Sequence, residues 1–430
     1  MDDQPSSTYR NMLAVVAIAV FFTNTPSFLY YKAPGLFGAP KFWVLGFAVL
    51  TVPLLLNHVW RWNIREWPLL LWCAFYVWLS LLSYYTTSDS DVAWQEVRMR
   101  LQTVLLLVCT MLVFAHPDAV RWAQRTLVVA VMFGVLTTIY EFFFPMSLGS
   151  SLARPAGFYL NANQAGFALV LGMAMCLPVV SPKFRGMLVL LTGLAVLATM
   201  SRSSAIVWLL TVVFCLWAGL LQIRRVAVTA AFGTLVVMVL LLPRVDEVYE
   251  FLRANGLWSK DIEERLEWFM NPSIQSSPYS NETSSRLDAA ETAWSQFSEH
   301  PWWGNGVGTA LQTAGGAGSE KEVTMGAHNM YLANMVDHGL LGMLIFPLAV
   351  AAMIRSARGD AKLVSVPFAT ILLFSAFFLH TILQDTFPLP LFSLMAAMAV
   401  LSRGHEAERS HSLVRRAKAY PGNEHPAWQV

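Results

Sequence analysis

The chain has 430 residues, of which 56% are hydrophobic and only 13% are charged. Soluble globular proteins carry about 25% charged residues, so this composition excludes an ordinary soluble protein and predicts a polytopic membrane protein. The formal net charge of +2 does not indicate a nucleic acid or another acidic partner, because the placement of charges matters more than their sum.

Apolar runs near the length of about 20 residues that crosses a bilayer recur along the chain and predict about twelve transmembrane helices. They cover residues 12–31, 41–57, 66–85, 101–116, 122–145, 163–181, 186–200, 203–222, 226–243, 328–354, 363–383 and 386–402. All four cysteines lie inside such runs without a C-x-x-C motif, which predicts packing residues and not a disulfide framework or a thiol metal site.

The polar stretches divide the chain into four expected regions. Residues 1–243 would hold transmembrane helices 1–9, residues 244–327 one large loop, residues 328–402 helices 10–12, and residues 403–430 a polar, basic tail. Helical patterns inside the loop predict that it is built from short helices. The predicted fold is therefore an all-α polytopic membrane protein with one large loop between spans 9 and 10.

Lysines and arginines indicate the orientation of the helices. With the N-terminus inside, seventeen of them fall in inside segments and six in the short outside loops, which agrees with the positive-inside rule. Both termini are then expected inside and the large loop outside. The outside arginines, among them Arg98, Arg100, Arg154 and Arg202, run against the rule and call for another explanation.

Three short helices are predicted in the large loop. Residues 244–255 and 258–270 are amphipathic, and the apolar stripe of the second is typical of a helix lying in the membrane interface. The third is predicted from Ser285 to Glu299. Its first turn would contain Arg286, where free backbone N–H groups and the helix dipole favour an anion.

Four arginines on the outside are candidate anion ligands: Arg154, Arg202, Arg265 and Arg286. A guanidinium is permanently charged and planar, so it can bind two phosphate oxygens at once. For any one of them alone, a solvated or headgroup-binding arginine is the simpler interpretation.

Two histidines are candidates for proton transfer. His328 opens the tenth predicted helix at its outer end, where a neutral imidazole could accept a proton. His338 follows Asp337 inside an apolar span, where ionisable residues are functional candidates. The alternatives are a histidine that only bonds the loop, and a helix in which Gly339 and Gly342 simply allow close packing. His328 is the first choice and His338 the second.

Soluble-enzyme motifs are absent from the sequence, including a P-loop, H-E-x-x-H and G-x-S-x-G. The acidic residues of the large loop show no spacing that pairs carboxylates, so neither a metal site nor a cofactor is predicted.

Short motifs nevertheless occur in a specific order between about residues 150 and 345. The most specific is His328-Asn329, nine residues, then Gly339-Leu340-Leu341-Gly342. Supporting motifs are Arg154-Pro155-Ala156-Gly157 with Asn161 to Asn163, Ser201-Arg202-Ser203, and Ser285-Arg286 leading to His300-Pro301-Trp302-Trp303-Gly304. Together they resemble the O-antigen ligase family, within the superfamily of O-antigen ligases, O-antigen polymerases and protein O-oligosaccharyltransferases.

The resemblance implies a GT-C-like, metal-independent, inverting glycosyltransferase of lipopolysaccharide biosynthesis. Its donor would be a glycan on undecaprenyl pyrophosphate and its acceptor the outer-core sugar of lipid A–core, with the active site facing the periplasm from the bacterial inner membrane and both termini in the cytoplasm. Membrane lipids would be further partners, chain-length regulator or polymerase proteins are candidates, and no nucleic acid is expected.

The resemblance also implies roles for individual residues. Arg202, Arg265 and Arg286 would hold the pyrophosphate, Arg154 would support that site, and His328 would be the base. Supporting positions are Asn161, Asn163, Asn329 and Tyr331.

Three alternatives stay open at this stage. An O-antigen polymerase would commonly have two large outer loops, and here only one is predicted. A protein O-oligosaccharyltransferase would usually be longer at its C-terminus. A lipid-linked glycan transporter without catalysis would place ionisable groups through several spans, whereas these gather on one face.

Overall fold

The computed structural model describes residues 4–58, 67–87, 90–144, 146–149, 154–231, 280–311 and 328–403. Every regular element within these ranges is helical. The all-α expectation is therefore confirmed for the described part of the chain.

The first seven α-helices precede residue 144, and a π-helical segment, Ala17–Phe22, follows the first of them directly. They are α1 (Gln4–Val16), α2 (Thr25–Lys32), α3 (Pro34–Phe37), α4 (Pro40–His58), α5 (Pro68–Tyr84), α6 (Ser90–Phe114) and α7 (Pro117–Phe143). The predicted continuous helix 12–31 is wrong, because the chain breaks at Thr23 and Asn24. Asn24 has a left-handed φ of 57°, and its side-chain amide donates to the Phe158 carbonyl.

The remaining helices carry the candidate residues. They are α8 (Ala162–Cys176), α9 (Arg185–Ala198), α10 (Arg202–Trp217), α11 (residues 223–231), α12 (Ser280–Glu299), α13 (Met330–His338), α14 (Ile345–Ile354), α15 (Gly359–Ser375) and α16 (Leu389–Arg403). A 3₁₀ segment, Gly339–Leu344, joins α13 to α14. The predicted helix 328–354 is thus divided at Gly339 and begins two residues late.

Helix α6 is the largest departure from the predicted helix boundaries. It was predicted as 101–116, with Arg98 and Arg100 in a loop, but it begins at Ser90 with Asp91 in its first turn. The predicted boundary is wrong, because Arg98 and Arg100 are part of the helix and not of a loop. Arg100 lies inside the helix and is buried, since a partner carboxylate compensates its charge.

Length and composition qualify four of the described helical segments as candidate membrane spans: Pro34–Leu56, Ser90–Phe114, Pro117–Phe143 and Met330–Ile354. A fifth is added if Ser7–Phe22 and Thr25–Lys32, which meet at 52°, form one bent span. Shorter apolar helices accompany them, so the chain is a multi-pass membrane protein. The predicted number of twelve spans is larger than the four or five candidate spans among the described residues.

Helix α8 is at the centre of the core. Its residues from Ala165 to Cys176 are all buried, which suits a helix that is apolar on every side. Neighbouring helices approach it closely at two glycines, because a Cβ on Gly166 would lie 2.5 Å from the Cβ of Ser204 and one on Gly172 would lie 2.6 Å from Val131. The four cysteines are buried and free, as predicted.

Candidate functional site

Arg154 holds the turn between α9 and α10. Its Nη2 donates to the carbonyls of Thr199 at 3.4 Å and Met200 at 3.2 Å, and to Asn163 Oδ1 at 3.3 Å. Its Nε also donates to Thr199, at 3.4 Å. The planar guanidinium therefore fixes the residues that directly precede α10.

The same turn carries Arg202. Ser201 caps α10 by accepting a hydrogen bond from the Ser204 backbone N–H, and its own hydroxyl donates to Asn163 Oδ1 at 2.8 Å. Arg202 is then the first residue of α10 and is half-buried. Asn163 Oδ1 accepts from both Arg154 and Ser201. It therefore couples Arg154 to the Ser201 cap that positions Arg202.

Asn161 and Asn329 share one local role. Asn161 caps α8 and accepts from the backbone N–H groups of Asn163 and Gln164, at 2.9 and 3.4 Å. Asn329 caps α13 in the same way, with Tyr331 at 3.0 Å and Leu332 at 3.2 Å. Asparagine is among the best N-caps, so these two supporting positions have a structural explanation.

His328 immediately precedes the Asn329 cap. It is half-buried and has a left-handed φ of 48°, which is uncommon for a residue other than glycine. The start of α13 is anchored on the end of α15, because the Met330 N–H donates to the Ala376 carbonyl at 2.8 Å and the Tyr331 hydroxyl to the Leu373 carbonyl at 2.8 Å. These contacts hold the backbone next to His328.

His380 packs against His328, and sequence reasoning missed it. The two rings meet edge to face with centroids 5.3 Å apart. Burial, and then the charge of His328, lower the pKa of His380 to about 4, so its imidazole is neutral at pH 7. The signal in the sequence was a histidine inside the predicted helix 363–383, which gave no link to His328.

Asp385 is a second residue that the sequence analysis missed. Both of its carboxylate oxygens accept from Gln164 Nε2, at 3.0 and 2.9 Å, and Oδ2 accepts from the Thr381 hydroxyl at 2.7 Å. Burial raises the pKa of Asp385 to about 7, against a lowering by these two hydrogen bonds. These donors are neutral, whereas the carboxylate of Asp337 is paired with the cation Arg100.

Asp337 pairs with Arg100 in the interior. Arg100 Nη2 lies 2.6 Å from Asp337 Oδ2, and both residues are 4% exposed. The other carboxylate oxygen accepts from the backbone N–H of Ala310 at 3.1 Å. Arg100 also lies over the Tyr76 ring, 5.5 Å from its centroid. We call Glu96, Arg100, Asp337 and His338 the ion cluster.

His338 is bonded at both ring nitrogens. Arg100 Nη1 lies 2.5 Å from Nε2, and Nδ1 lies 2.6 Å from the Ser83 hydroxyl. A guanidinium can only donate, so Nε2 accepts and Nδ1 carries the proton. His338 is 3% exposed. Through these two contacts His338, at the end of α13, links that helix to Ser83 on α5 and to Arg100 on α6.

Two glycines allow the chain after α12 to dock over the ion cluster. Gly304 has a φ of 72°, and a Cβ there would lie 2.5 Å from the backbone of Asp337. Gly339 has a φ of 68°, and a Cβ there would lie 2.4 Å from the backbone of Trp302. Close packing, which was the alternative reading of Gly339, therefore accounts for this glycine.

The arginines of the large loop are less fully described. Arg265 and the predicted helices 244–255 and 258–270 lie outside the described residues, and so does the side chain of Arg286. The backbone of α12 begins at Ser280 and not at Ser285, so the first-turn position expected for Arg286 is wrong. It lies in the second turn, where the effect of the helix dipole has largely faded.

The described candidates lie at one end of the helical bundle. Arg154 bonds the turn that leads into α10, Gln164 at the start of α8 bonds Asp385 after α15, and Met330 at the start of α13 bonds the end of α15. Arg202 and His328 therefore share that end. Among the described residues, no group of three or more His, Cys, Asp or Glu side chains could hold a metal ion.

These features define a multi-pass helical membrane protein with arginines and a histidine pair at one end of the bundle. A sequence model of the O-antigen ligase family matches residues 187–347. This match confirms the predicted resemblance to the O-antigen ligase and polymerase superfamily. No curated protein sequence matches the chain at a significant level.

Proposed function

We propose that the protein is an O-antigen ligase that transfers O-antigen polysaccharide from undecaprenyl pyrophosphate to the outer-core sugar of lipid A–core, with inversion and without a metal ion. The observation that carries this proposal is the placement of Arg202 and His328 at one end of the bundle, within the stretch that matches the O-antigen ligase family. An anion site beside a base suits glycosyl transfer from a pyrophosphate.

His328 is the proposed base. The acceptor hydroxyl oxygen attacks the anomeric carbon, the bond from that carbon to the pyrophosphate oxygen breaks, and the hydroxyl proton moves to the imidazole of His328. His338 is the weaker choice, because Arg100 and Ser83 bond both of its ring nitrogens in a buried site. A base needs a nitrogen that can reach the substrate.

Arginines are the proposed ligands of the leaving group. Charge on the pyrophosphate grows as the glycosidic bond breaks, so fixed cations stabilise the transition state more than the ground state. Arg202, Arg265 and Arg286 would supply these cations. Arg154 supports the site indirectly, because its hydrogen bonds hold the turn that ends at Arg202.

The proposed topology is twelve spans in a GT-C-like fold, with both termini in the cytoplasm and the end that carries Arg202 and His328 facing the periplasm. The distribution of lysines and arginines supports this orientation. Residues 244–327 would then cover the site from the periplasmic side.

Reconstitution tests the reaction. Purified protein in proteoliposomes would receive undecaprenyl-pyrophosphate glycan and lipid A–core, with and without EDTA, and we expect glycan on lipid A–core in both cases. Loss of product with EDTA would overturn the metal-free mechanism. Extension of the glycan on its carrier would identify a polymerase, and movement of the donor across the membrane without product a transporter.

Single substitutions test the choice of base. His328→Ala should lower the transfer rate by about 10²- to 10⁴-fold, the usual contribution of a general base. His116→Ala is the matched control, because His116 lies about half exposed before α7, and it should retain activity. Retained activity in His328→Ala, with loss in a stably folded His338→Ala, would transfer the role to His338.

A further inference from the structure

A small, partly enclosed cavity has His380 in its lining. Its volume is about 30 Å³, and its polar lining includes Glu96, Arg100, Asp337, His380 and Gln384. A cavity of at least about 10–15 Å³ with several polar partners can hold a water molecule. This cavity therefore has both the room and the lining to hold water.

Glu96 is the lining residue whose hydrogen bonding is incomplete. It is 1% exposed, and its Oε2 accepts from Gln384 Nε2 at 2.8 Å. Its Oε1 has no hydrogen-bond partner among the residues that the structure describes. Arg100 does not supply the bond, because it lies 2.6 Å from Asp337 and 4.0 Å from Glu96 Oε2. A buried carboxylate oxygen needs a donor, which water in the cavity would provide.

His380 connects this cavity to His328. It lines the cavity and also packs against the His328 ring. Burial and the charge of His328 lower the pKa of His380 to about 4, so its imidazole is neutral at pH 7. A neutral imidazole has one nitrogen that accepts a proton and one N–H that can donate. The charged and titratable groups that share the cavity lining with His380 are Tyr76, Glu96, Arg100 and Asp337. His328 packs against its ring, and Asp385 follows further along the same loop.

We propose that His380, cavity water and Glu96 form a proton path behind His328 that stores the proton taken from the acceptor hydroxyl. This proposal rests on the proposed transferase function. The His328 imidazolium passes a proton to His380, which releases its other N–H proton through water to the Glu96 carboxylate. The proton returns by the same atoms to the periplasmic water after the products leave, so no proton is gained or lost.

The path matters while the substrates are bound. Two lipid-linked glycans would cover His328 and separate it from bulk water, so its proton would need a route through the neighbouring His380, which lines the cavity. His380 and Glu96 act through His328 and do not touch substrate, so both are positioning residues.

Glu96→Gln is the first test, because glutamine keeps the shape and can still accept from Gln384. In the reconstituted transfer assay we expect kcat to fall about tenfold, a modest share of what proton transfer contributes, with donor and acceptor KM unchanged and a larger solvent deuterium isotope effect. Glu96→Asp, which keeps a carboxylate, should recover part of the rate. Wild-type kcat and isotope effect in Glu96→Gln would overturn the path.

His380→Asn is a second, independent variant at a half-buried position. It should reproduce the kcat loss and the isotope effect, and the double variant with Glu96→Gln should be no slower than either single variant, because both interrupt one path. Losses that multiply in the double variant would contradict a shared path.

Infrared spectroscopy separates this proposal from the proposed function. A pH titration of the substrate-free protein in proteoliposomes should show a protonated-carboxyl band that Glu96→Gln removes and that shifts in His380→Asn. Asp385→Asn is the matched control and should leave that band in place. Failure of the wild type to transfer glycan would refute the function alone. Absence of a band that depends on Glu96 would refute the path alone.

Discussion

Arg100 and Arg154 were both expected in short outside loops, and the structure places them in different surroundings. Arg100 is 4% exposed and pairs with the Asp337 carboxylate, whereas the hydrogen bonds described for Arg154 go to two backbone carbonyls and an amide oxygen. The first arginine compensates a buried charge and the second shapes a turn. An arginine that the sequence places in a short loop can therefore compensate a buried charge or hold a turn, and its hydrogen-bond partner distinguishes the two roles.

The largest effect is expected from Arg100→Met. The substitution leaves the Asp337 carboxylate and a His338 nitrogen buried without their partner, and breaking a buried ion pair costs about 3–5 kcal/mol. The midpoint of thermal unfolding in detergent should fall accordingly.

The double variant Arg100→Met with Asp337→Asn is the control for this prediction. It removes both charges, so it should be more stable than Arg100→Met alone, since the uncompensated carboxylate is gone. If the double variant were less stable than the single variant, charge compensation would not be the role of Arg100.

A smaller loss is expected from Gly304→Ala, which tests whether the chain must dock over the ion cluster. A Cβ would lie 2.5 Å from the Asp337 backbone at a φ of 72°, and strained backbone positions cost about 1–3 kcal/mol each. Gly219→Ala shares a φ of 72° but has nothing within 4 Å, so it isolates the strain from the clash. Equal losses of thermal stability in the two variants would show that the docking contact contributes nothing.

Much of the fold follows from apolar runs alone, because each predicted helix outside residues 232–279 has a helical counterpart. Predicted boundaries were wrong at left-handed residues that break a helix, Asn24 and Gly339, and at a charge with a distant partner. Asp337, far along the chain, compensates the buried charge of Arg100 within α6, and no local pattern shows that pairing. His380 and Asp385 were missed for the same reason, since their partners His328 and Gln164 lie on other elements.

Asp385→Asn tests the second buried carboxylate, which is bonded to the neutral donors Gln164 and Thr381, whereas Asp337 is paired with the cation Arg100. Burial raises the pKa of Asp385 to about 7, so its protonated form contributes stability that is fully present below about pH 4 and is lost as pH rises through about 7. The wild type should lose thermal stability over this range, and Asp385→Asn should lose less. If the thermal stability of the wild type and of Asp385→Asn depended on pH in the same way, burial would not raise the pKa of Asp385.

The smallest loss of stability is expected from Arg154→Lys, and it gives the most direct test of the comparison because the charge is kept. A lysine amine cannot reproduce the fork that spans Thr199, Met200 and Asn163, and the loss should be near 1 kcal/mol, as for a single hydrogen bond.

If Arg154 shapes the turn that presents Arg202, transfer activity should fall more than the thermal midpoint suggests, with a higher KM for the pyrophosphate donor. Arg100→Lys is the matched variant, and there stability should fall more than activity per folded molecule. An Arg154→Lys protein with unchanged donor KM would mean that Arg202 is placed without this turn.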